Sequence, residues 1–138
     1  MGEELSEEHA PVVELPPNAI VVRGGAMADR DLERSVAAHH ADPDCREEWA
    51  LSVSSSPDAT AAKIVEASIW LNHRTYRWTR ASKLFDAGYR VIEDEPPHAL
   101  VLLPGPMTPK IGGELRAVFD TEEENPYHGE RKLHSGKP

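Results

Sequence analysis

The chain has 138 residues, a formal charge of −9 and a single cysteine, Cys45. That length fits one domain with its own hydrophobic core, while one cysteine excludes an internal disulfide framework. No apolar run reaches membrane-spanning length and no charged-then-apolar leader is present, so the expected partners exclude a membrane and the expected location is cytoplasmic. The charge is unevenly placed. Residues 1–18 carry Glu3, Glu4, Glu7, Glu8 and Glu14 with no Lys or Arg, for −5, and residues 120–138 carry −2, which leaves a nearly neutral middle. Both ends lack hydrophobic periodicity, so they read as mobile acidic tails (1–18 and 120–138) flanking an α/β domain over 19–119. Such tails could order on a protein partner.

Within the domain, residues 19–22 are apolar and β-branched between Pro16-Pro17-Asn18 and Gly24-Gly25, the punctuation of a buried strand. A helix follows, with Asp29, Asp31 and Glu33 near its start and Pro43 as its stop. Residues 49–55 alternate as a second strand with one buried face. Ser56-Pro57-Asp58 reads as an N-cap, first-turn proline and first-turn acid, which predicts a long core helix running to about Asn72. Residues 75–79 form a short strand with Tyr76 and Trp78 on one side and Arg77 on the other, followed by a brief helix capped by Thr79 and closed by Gly88. Residues 89–92 and 99–103 form an antiparallel pair around an acidic, proline-rich turn, and Thr108-Pro109 opens a last helix through Phe119. The expected fold is α/β (α+β), a single domain with a mixed sheet of about five strands and helices packed on it.

Polar groups collect at strand ends. Arg23 interrupts an apolar strand where a guanidinium can hold a phosphate bidentately, and Gly24 lets a ligand approach the backbone; the alternative is an arginine paired with Asp29 or Asp31. Ser54 and Ser55 could offer hydroxyls to a ribose or phosphate, whereas Ser56 is accounted for as a cap. The stretch from His39 to Cys45 holds several metal-ligand types, but adjacent helical histidines diverge by about 100° and the segment reads as a helix end rather than a metal site. His73, Arg74, Arg77, Arg80 and Lys83 surround Tyr76 and Trp78, a combination that suits single-stranded nucleic acid only if the rings face outward. His98 lies beside Glu93, Asp94 and Glu95 and is a candidate acid or base, or a turn residue.

The run from Arg23-Gly24 through Leu51-Ser52-Val53-Ser54-Ser55 to an acidic stretch before Leu100-Val101-Leu102-Leu103-Pro104-Gly105 resembles the Arg-Ser-Glu class of ADP-ribosyltransferases. The resemblance implies NAD as cofactor, with Arg23 on its phosphates, Ser54 at the nicotinamide ribose and Glu93 or Glu95 orienting the attacking group. Residues 79–103, with Ala87-Gly88-Tyr89 and Pro97-His98, are similar to small mRNA-cleaving toxins of the double-stranded-RNA-binding-domain type, which implies that His98 cleaves RNA. The Val-Val-Arg-Gly-Gly and Ala-Leu-Ser-Val segments also resemble stretches of small bacterial proteins, a likeness that implies no function. The leading expectation is therefore a nucleotide-binding protein that transfers ADP-ribose from NAD. A non-enzymatic interaction protein of a phage or toxin-antitoxin locus, and an RNase using His98, are the rivals.

Overall fold

The computed structural model describes residues 13–44, 48–56, 58–68, 70–94 and 97–129. In chain order its elements are β1 (Ile20–Gly24), α1 (Asp29–Ala41), β2 (Ala50–Ser55), α2 (Ala61–Ala67), β3 (Thr75–Arg80), α3 (Ala81–Asp86), β4 (Arg90–Glu93), β5 (His98–Leu102), α4 (Pro109–Val118) and β6 (Thr121–Glu124). The strands form one sheet in the order β4-β5-β2-β1-β3-β6. The expected single domain with helices on a sheet is present, but the sheet has six strands and every pairing is antiparallel rather than mixed. An alternating strand and helix order usually signals parallel crossovers. Here the connection through α1 returns the chain to the end of the sheet it left, so β2 runs back against β1.

β1 is apolar on successive residues because both of its faces are covered. Val21 joins Leu32 and Val36 of α1, Ala81 and Leu84 of α3 and Leu115 of α4 in the main core. Val22, one pleat on, points the other way and packs with Ala61, Ile64 and Val65 of α2 and Tyr76 of β3. Three helices thus cover one face and α2 covers part of the other. The edges are protected differently. Val13 and Leu15 hydrogen-bond along β4, through Glu93 N to Val13 O at 2.8 Å and Leu15 N to Val91 O at 3.0 Å. β6 instead presents the charged run Glu122, Glu123, Glu124, which discourages edge pairing.

Two expectations need correction. The helix predicted to start at Ser56 begins only at Ala61, where Thr60 Oγ1 accepts from Lys63 N, and it ends at Ala67. Asp58 takes a positive φ of 58°, which breaks the early start, while Ser68 turns its hydroxyl back onto Ile64 O at 2.7 Å at the C-terminal end. Pro57 lies outside the described residues. Thr79 likewise does not cap α3, because it is a buried residue of β3 and the N-cap position belongs to Arg80.

The expected domain boundary at 119 also falls short, since residues 121–124 are β6. Tyr76 Oη donates to Glu123 at 2.7 Å and Thr75 Oγ1 to Glu122 at 3.1 Å, so the acidic strand is tied in by neutral donors as well as by the ladder. Beyond it, Asn125 is buried and donates through Nδ2 to Leu71 O at 3.1 Å and His73 O at 2.9 Å, while its N–H reaches Arg74 O.

Candidate functional site

The early end of α2 decides where the site lies. Had the helix continued to Asn72, Trp70 would have been carried on its apolar face. Instead residues 70–73 form a loop, Trp70 is 54% exposed, and the loop becomes one wall of a cavity of about 650 Å³. The opposite wall is the turn between β4 and β5, with Asp94, Pro97 and His98. The floor is the sheet face shared by Val22, Ser52 and Ser54.

The register places the floor residues. Val22 pairs with Ser54, and Ser54 with His98, so these three lie in one row across β1, β2 and β5 and project to the same side. Beyond that row β1 and β2 part, their ladder being limited to Val21 with Ser55 and Val22 with Ser54. Arg23 fills the seam. Its Nη1 donates to Ser52 O at 2.8 Å and its Nη2 to Asp31 Oδ2 of α1 at 3.0 Å, with the side chain only 14% exposed and Nε buried without a partner.

Arg23 therefore borders the same cavity as Ser54, but its side chain leaves β1 on the opposite pleat, the side of Val21, and its charge is matched by Asp31. The pairing with Asp31 is the alternative that the sequence left open. Ser55 stands away from the cavity: it is buried, and its Oγ donates to Ile20 O at 2.6 Å, joining the two strands.

Gly24 serves a close approach, though to a side chain of this protein. A methyl group at position 24 would sit 2.5 Å from His73 Nδ1, and one at Gly25 would sit 3.0 Å from the same ring. The imidazole thus occupies the space over β1 that any other residue at 24 would fill. His73 appeared in the sequence only as part of a basic cluster, and it becomes a cavity residue because the loop that carries it is fastened by Asn125. The signal available beforehand was the glycine pair, which implied that something approaches the backbone there.

On the far wall, His98 Nδ1 is 2.6 Å from Asp94 Oδ2. A carboxylate accepts, so Nδ1 carries the hydrogen, and in the neutral ring Nε2 keeps the lone pair. Of the two glutamates offered for a catalytic role, Glu93 pairs with Ala99 on the helix-covered side of the sheet and does not line the cavity, and Glu95 lies outside the described residues. Among the described residues, the acidic residue at the cavity is Asp94.

The remaining candidates disperse. Arg77 crosses to the helix side and donates to Arg116 O and Phe119 O, Arg80 donates to Asn18 O, Lys83 pairs with Asp120, and Tyr76 is buried in the core. No row of stacked rings between cations results. His39 pairs with Glu48 and His40 stacks on Trp49 at 3.5 Å, while Cys45 lies outside the described residues; no cluster of three metal-ligand side chains occurs among those described. No helix of the described residues is long and apolar enough to cross a membrane.

No family model, curated protein or solved structure matches this chain. The site combines one exposed indole, two imidazoles, one of them oriented by a carboxylate, two serines on the floor and an arginine at the seam. That set offers stacking, neutral hydrogen-bond donors and proton transfer in one concavity.

Proposed function

We propose that the cavity binds a nucleotide, with its base against Trp70 and its phosphate over Ser52 and Ser54 between His73 and His98. One observation carries this reading: a large aromatic that a folded protein would ordinarily bury stands exposed on the rim of a cavity that also carries Ser52, Ser54, His73 and His98 among apolar residues. A planar ring gains stacking there, and the polar floor suits what the ring is attached to. ADP-ribose transfer from NAD receives less support, because Glu93 faces away and Asp94 is engaged by His98.

Titration with NAD, AMP and inorganic phosphate, followed by tryptophan fluorescence and by melting temperature, tests the proposal. A nucleotide at ten times its Kd stabilises by about 1.4 kcal/mol, enough to see as a shift in melting. Trp70→Phe should remove the fluorescence change, leaving Trp49 and Trp78 as silent reporters. Absence of both signals at millimolar nucleotide overturns the proposal.

A further inference from the structure

The two imidazoles stand on opposite sides of the serine floor. His98 belongs to β5 and His73 sits over Gly24 of β1, two strands away. Two strand spacings of about 4.8 Å and a two-residue offset along the strand put the His98 backbone about 12 Å from Gly24, over which the His73 ring lies. The His98 ring reaches inward across that span toward the His73 ring, and the gap between them suits one phosphodiester group. His98 presents Nε2 as a base because Asp94 holds Nδ1, and His73 is exposed to water, so it can be reloaded with a proton. The chain's net charge of −9 provides no field to gather a long polyanion, which favours a short substrate.

The geometry points to a ribonucleotide phosphodiester transesterase, an inference that rests on nucleotide binding in the same cavity. His98 Nε2 takes the proton from a ribose 2′-hydroxyl, whose oxygen attacks the adjacent phosphorus. The bond from phosphorus to the 5′-oxygen breaks with its electron pair, and that oxygen receives a proton from the His73 imidazolium. The products are a 2′,3′-cyclic phosphate and a 5′-hydroxyl nucleoside; water then restores the two imidazoles to their starting states. Ser52 and Ser54 donate hydrogen bonds to the phosphate, and Asp94 is a positioning residue for His98.

The test uses the full chain and a mixture of RNA dinucleoside monophosphates, with product chemistry read by chromatography and binding read separately through Trp70 fluorescence. Cyclic phosphate is expected from the wild type and none from 2′-deoxy substrates. His98→Ala and His73→Ala should each lower turnover by about 100-fold or more, and His98→Gln and His73→Gln should do the same if either alanine variant melts early. Asp94→Asn should lower kcat while leaving KM unchanged. Nucleotide binding without cleavage overturns this inference and leaves the binding proposal standing. Neither binding nor cleavage overturns both, and equal cleavage by wild type and both histidine variants overturns it by assigning the activity to a contaminant.

Discussion

Replacing Gly24 by alanine separates the placement of His73 from the stability of the sheet. The backbone at 24 has ordinary strand geometry, so alanine adds no torsional strain, and a strand glycine costs roughly 0.5–1 kcal/mol relative to alanine. The added methyl would meet His73 Nδ1 at 2.5 Å and Leu71 Cδ2 at 3.2 Å. Relief to an ordinary contact near 3.5 Å requires the ring to retreat by about 1 Å, which an exposed side chain can do cheaply. A shift of that size at a reacting group can cost about 10²-fold in rate. Gly24→Ala should therefore melt within about 3 °C of the wild type while its kcat/KM on a dinucleoside monophosphate falls by about 10²-fold. Gly25→Ala should instead lose stability, because its φ of +84° adds about 1–2 kcal/mol of strain and lowers the melting temperature by about 4–8 °C, while its methyl, 3.0 Å from the same ring, also presses on His73. A Gly24→Ala protein that cleaves at the wild-type rate refutes the argument for His73, and one that melts 10 °C early refutes the steric estimate.

Arg23→Met should destabilise by about 1.5–3 kcal/mol in urea unfolding, since it removes the charged bond to Ser52 O that closes the seam between β1 and β2; an unchanged midpoint would show that the seam needs no bridge. The Tyr76 phenol is pushed up to about 12, first by burial and then by its bond to Glu123, and Tyr89 is raised likewise by burial and Glu114. Because the folded value exceeds the ordinary one near 10, the stabilisation is complete below pH 10 and is lost as the pH rises through about 12. Alkaline titration of the phenolate absorbance should show late components, and Tyr76→Phe should remove one of them; complete ionisation by about pH 10 would contradict the burial argument. Phe119→Ala should cost about 3–5 kcal/mol, because this ring is the largest fully buried side chain among the described residues, and a loss under 1 kcal/mol would mean that the core collapses around the gap.

The strands were readable because their punctuation is local. Pro16-Pro17-Asn18 and Gly24-Gly25 delimit β1, and Thr108-Pro109 opens α4 with the expected cap from Thr108 Oγ1 to Ile111 N at 3.1 Å. Arg23, Gly24, Ser54 and His98 do border one cavity, since each was marked by a position at or near a strand end. Trp70 and His73 were hidden for a different reason. The pattern from Ser56 to Asn72 is helical in sequence, and what shortens the helix is the reversal at Asp58 before its start and the side-chain bond of Ser68 at its end, neither of which has a distinctive period. β6 was hidden because Thr121 and three exposed glutamates carry no hydrophobic alternation; its pairing depends on Tyr76 and Thr75, which are distant in sequence.

Asn125 gives the chain's acidic end an unexpected job as a fastener. A protease cut or a shortened clone ending at the apparent domain limit would release the wall that holds Trp70 and His73, even though it removed no residue bordering the cavity. Trimming behind Phe119 therefore unfastens the site. Loss of ligand response in a clipped sample would speak of an unlatched loop rather than an empty site.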